Sequence, residues 1–175
     1  IKGDVPSRGI DWYRFTAKAG QRVLLEVVAE RIDSRMDGML IVYDLEGREV
    51  SRNREVYGRD PFLEVSTERD AEYFLAVSDI LYRGGAEHFY RLSISSRPHI
   101  DFVFPPAGEP GSTNTYTLFG RNLPGSRISD TVSLDGKQLE QLPIEITLPK
   151  VAFTPKSFHP GEPRQGLLRG LDYQI

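Results

Sequence analysis

The chain has no cysteine among its 175 residues, which excludes a disulfide framework, a thiolate zinc site and a thiol nucleophile without fixing the redox compartment. No apolar stretch approaches the roughly 20 residues that a membrane-spanning helix requires, so this fragment is not expected to insert into a bilayer. The opening, IKGDVPSRG, lacks a charged region followed by an apolar core. No targeting segment is therefore read within this fragment, which leaves room for a signal peptide upstream. Nor is there a run of one charge. The net charge of -3 is spread along the chain, which leaves no electrostatic footprint for nucleic acid. The three histidines, His88, His99 and His159, lack the spacing of a metal-binding pair. No G-x-S-x-G elbow or comparable motif supports a nucleophile, and nothing places two carboxylates across a cleft. The chain is accordingly read as not an enzyme.

What is present is ordinary globular composition, 39% hydrophobic and 27% charged, with 16 Gly and 12 Pro that favour many turns over long helices. From Ile10 to Ala17 the pattern is that of a strand. Tyr13, Phe15 and Ala17 form its apolar face, with Trp12, Arg14 and Thr16 opposite. After Ala19-Gly20-Gln21, the residues Val23, Leu25, Val27 and Ala29 mark a second core face, because the charges lie on the other side. MLIVYD reads as a short, fully buried strand, and Asp44-Leu45-Glu46-Gly47 as the turn into a hairpin partner over Arg48 to Ser51. A polar loop from Asn53 to Asp60 precedes a strand opened by Pro61, and AEYFLAVSD and HFYRLSIS complete the set. Such a rhythm, with no amphipathic helix, predicts an all-β fold: a jelly-roll-like antiparallel sandwich over residues 1–96. Arg97-Pro98 is the expected joint. A smaller immunoglobulin-like β segment is expected over 97–149, with strands at TVSLDG and PIEITLP, and 150–175 is read as a bridging segment whose last residues form a strand.

Several of these segments carry a family pattern. GIDWYRFTAKAGQRVLLEV, MLIVYDLEGREV, AEYFLAVSD and YRGGAEHFYRLSIS together resemble the bacterial pre-peptidase C-terminal domain. VFPPAGEPGSTNTYTLFGRNL resembles the opening of a TIG-type immunoglobulin-like domain, and the pair together resembles surface proteins of planctomycete-type bacteria. The first resemblance implies a non-catalytic sandwich appended to exported proteins, extracellular, periplasmic or at the cell surface. It also implies that some relatives bind collagen or polysaccharide, and that collagen-binding relatives hold calcium through acids around the first aromatic strand. Asp11 occupies such a position, whereas Arg8 stands where a second carboxylate would help, and Asn53-Arg54-Glu55 replaces the family's Asn-Asp-Asp.

Asp33 and Asp37, with Asp44 and Asp60, sit at strand ends, where carboxylates either gather a hard cation or cap turns. Asp11, Asp33 and Asp37 are the candidate ligands of a structural calcium. Trp12 and Tyr13 point to opposite faces of one strand and cannot share one sugar-stacking platform. Tyr57 and Tyr82, beside loop glycines, are the candidate ligand contacts. The function expected is a binding or spacer module for an extracellular polysaccharide or protein. The alternatives are a small carbohydrate-active jelly-roll enzyme and a purely structural repeat.

Overall fold

The computed structural model describes residues 1–150, 155–156 and 168–169. The chain divides into two compact units, Ile1–Arg97 with Leu134–Lys137, and Pro98–Ser133 with the chain from Gln138 onward. Among the described residues the one helical element is a 3-10 turn at Glu30–Ile32.

Eight strands build the first unit: β1 (Lys2–Asp4), β2 (Asp11–Ala17), β3 (Arg22–Val28), β4 (Gly38–Tyr43), β5 (Glu49–Asn53), β6 (Phe62–Ser66), β7 (Ala71–Asp79) and β8 (Phe89–Ser95). They form two four-stranded sheets, ordered β1-β8-β3-β6 and β2-β7-β4-β5. The pairing has a simple logic. β1 pairs with β8, β2 with β7, β3 with β6 and β4 with β5, all antiparallel. The chain is thus one long ribbon folded double at the β4–β5 turn. Rolling that ribbon brings β3 against β8 and β4 against β7, and this is the wrapping of a jelly roll.

Side-chain alternation decides which surfaces meet. Phe15 and Ala17 of β2, Val23, Leu25 and Val27 of β3, Leu40 and Val42 of β4, and Leu75 and Val77 of β7 are buried in one cluster between the sheets. Leu92 of β8 and Val65 of β6 join them. The faces expected of β2 and β3 are the ones observed. MLIVYD differs from expectation, since only Leu40 and Val42 of its apolar residues are fully buried. Its other face lies on the outside of the sandwich. The hairpin partner of β4 also starts and ends later than expected, at Glu49–Asn53.

The two ends of the sandwich are unequal. Short turns at 18–21, 44–48 and 67–70 close one end, whereas four longer loops, 5–10, 29–37, 54–61 and 80–88, gather at the other.

In the second unit, β9 (His99–Phe104), β10 (Thr113–Arg121), β11 (Arg127–Leu134) and β12 (Lys137–Thr147) form one sheet in the order β11-β12-β10-β9. Tyr116, Leu118, Leu123 and Leu139 are buried, and Arg121 holds Asp101 in a buried ion pair at 2.5 Å. β12 begins at Lys137, six residues before the strand expected at Pro143. Between 150 and 175, β13 (Pro155–Lys156) and β14 (Leu168–Arg169) pair antiparallel. The strand expected at the last residues lies outside the described residues.

Candidate functional site

The loop end of the first unit is organised by two aspartates that the solvent does not reach. Asp60 ends the 54–61 loop just before Pro61, and Asp79 ends β7. Asp60 Oδ1 accepts from the backbone N–H groups of Ala29 and Glu30, both at 2.8 Å, and Oδ2 accepts from Arg31 Nε at 2.7 Å. A residue thirty positions away thereby holds the turn after β3. Asp79 repeats the device. Its Oδ1 accepts from the N–H groups of Leu81 and Arg83, and its Oδ2 from that of Asp37 at 3.0 Å. Both oxygens also receive the Arg83 guanidinium at 3.2 Å. Burial alone would push the Asp79 carboxyl up. The Arg83 guanidinium and the three backbone donors outweigh it and hold the group below the usual carboxylate range.

The loops are then fastened to one another. Arg8 N–H donates to Tyr82 O, and Arg35 N–H donates to Glu87 O at 2.8 Å. Arg59 N–H donates to Glu30 Oε2 at 2.8 Å. At Gly84 a Cβ would come within 2.4 Å of Val5 O, so only glycine lets loops 5–10 and 80–88 approach this closely. The result is a fixed surface rather than a set of open loops.

All five residues singled out in the sequence lie at this end, but they do not converge. Asp11 opens β2 and accepts a hydrogen bond from the Tyr90 hydroxyl, which also meets the Tyr13 hydroxyl at 2.6 Å. Asp33 closes the 3-10 turn in the left-handed region, at φ 63°. Asp37 engages Asp79 through its backbone. Among the described residues no group of three or more His, Asp or Glu is gathered to hold a metal ion. Tyr57 is half-buried, edge-on to Phe62 at 5.6 Å and beneath the Arg31 guanidinium at 5.3 Å. Tyr82 is 48% exposed beside Leu81 at 66%, and its φ of 55° is a conformation that bulky residues rarely adopt.

A second surface was not legible in the sequence. On the outer face of the β2-β7-β4-β5 sheet, Trp12 is 55% exposed and lies against Tyr43, with ring centroids 5.6 Å apart. Trp12 is covered there by an aromatic ring from β4, two strands away. Strand periodicity gives the face of each residue but not the register between strands, which is what brings these two rings together.

The chain is similar to the pre-peptidase C-terminal domain of a collagenase from Bacillus anthracis. The likeness covers 54% of this chain and 86% of that one, at 16% identity and a TM-score of 0.43. No protein-family model and no curated protein matches the chain.

Proposed function

We propose that the first unit is a non-catalytic binding module of a larger exported protein, which attaches its parent to an extracellular polysaccharide or protein. The observation that carries this reading is the loop end, where the buried carboxylates Asp60 and Asp79 spend their oxygens on backbone amides and arginines. A general acid needs a raised pKa and a free proton to give. Asp79 is held the other way. What the stapled loops offer instead is a preorganised surface displaying Leu81 and Tyr82, and fixing a contact before binding spares the ordering cost of association.

In the same reading, the second unit is an immunoglobulin-like segment of the TIG type that serves as a spacer. The test is a paired assay on the purified chain. Co-sedimentation with insoluble polysaccharides and collagen fibrils is expected to retain the protein, while screens with peptide, ester and glycoside substrates return background rates. Turnover abolished by substituting one carboxylate or serine would overturn the proposal.

A further inference from the structure

We propose that the outer face of the β2-β7-β4-β5 sheet is a binding site for a neutral polysaccharide, with Trp12 and Tyr43 as its stacking platform. This rests on the reading of the first unit as a binding module, and adds to it a ligand class and a second surface, apart from the loop end that displays Leu81 and Tyr82. The outer face of a lone sandwich is ordinarily polar, since only the inner faces have a partner to bury against. Here Trp12 stands 55% exposed against Tyr43, their rings inclined at 42°. The two meet on a diagonal across β7, since Trp12 is opposite Ala76 and Tyr43 is opposite Phe74, and Ala76, 3% exposed, puts only a methyl group beside Trp12. Phe74, opposite both Arg14 and Tyr43, and Ile41, opposite Ala76, extend the same apolar surface.

Charge and area select the occupant. Arg14 pairs with Glu72 at 2.9 Å, and Arg52, within electrostatic reach of Tyr43, pairs with Glu49. The cations at the margin are thus matched by carboxylates, so the face offers no net charge to a phosphate, a uronate or an acidic protein. Arg14 and Arg52 stay largely exposed, and with their partners they present planar donors and acceptors suited to sugar hydroxyls. The apolar C–H face of a pyranose ring is the natural cover for an aromatic ring. Trp12 is 55% exposed and Tyr43 and Phe74 are half-buried, so the aromatic surface left open is on the order of 200 Å². That is well below the roughly 800 Å² per partner of a stable protein interface, yet ample for a few sugar rings.

Trp12 is the sole tryptophan, so its fluorescence reports this site alone. The full chain is titrated with laminarin, xyloglucan, galactomannan and dextran as neutral polymers, with polygalacturonate and hyaluronate as charged ones, and with gelatin. Gel retardation is followed alongside emission. The expected result is a blue shift and retardation with at least one neutral polymer, weakened about tenfold or more by Trp12→Ala and by Tyr43→Ala. Trp12→Phe should recover part of that binding, which separates loss of the platform from loss of the fold. Binding lost with Tyr82→Ala but kept with Trp12→Ala would overturn the inference and leave the module reading standing. So would binding confined to the charged polymers or to gelatin. If the folded chain bound none of the polymers, both would fall.

Discussion

Phe15 shows how much of this sandwich hangs on single side chains. It is buried between the sheets and stacks on Tyr73 with ring centroids 5.4 Å apart. Phe15→Ala empties an aromatic site in a packed core and is expected to cost about 3–5 kcal/mol, read as a fall in the urea midpoint. That is a large share of the stability of a domain of this size. Asp79 carries a different kind of weight. Its folded pKa lies below the usual carboxylate value, so its contribution is fully present above the unfolded value of about 3.9 and fades as pH falls through the folded one. Asp79→Asn should therefore lower the urea midpoint at neutral pH and flatten its decline below about pH 4 relative to the unsubstituted chain. Equal slopes for the two proteins in acid would show that the carboxylate does not hold the loop as described. Asp79 does not stand out in the sequence, because AEYFLAVSD reads simply as a strand ending in a turn residue. The local part of its role, accepting from Leu81 N–H two residues on, is a legible Asx turn. Its bond to Asp37, forty-two residues away, is not.

Among the elements, alternation was the dependable guide and register the missing one. The inner faces of β2 and β3 follow from charges on one side and branched aliphatics on the other, which is a local property. β1 escaped notice because Lys2–Asp4 has no pattern of its own and becomes a strand only by pairing with Tyr90 and its neighbours. MLIVYD reads as a buried strand because all but its last residue are apolar. Its outer residues are instead part of the surface that carries Tyr43. Sheet order makes a prediction of its own. β8 and β3 are flanked on both sides in one sheet, and β7 and β4 in the other, whereas β1, β6, β2 and β5 are edges. Amide exchange is expected to be slowest in the four inner strands and faster along the outward N–H groups of the edges. Protection in β1 equal to that in β3 would contradict the pairing order.

At the scale of the whole molecule, the buried cluster of the first unit is drawn from residues between Val5 and Leu92. Asp11, Asp33 and Asp37 are not gathered into one group, and the melting temperature is expected to be the same with calcium as with excess EDTA. A clear rise with calcium would show a site bound only by the folded chain. The nested ribbon has one more consequence. Because β1 pairs antiparallel with β8, the first and last of these eight strands lie side by side, with Ile1 N–H donating to Leu92 O at 2.9 Å. If the unit is stretched by its two ends, the load falls first on the bonds between β1 and β8, and it meets them one after another, as a zip is opened, rather than together. A single molecule pulled in this way should yield at low force, peeling from its seam while the loop end is the last part to feel the tension.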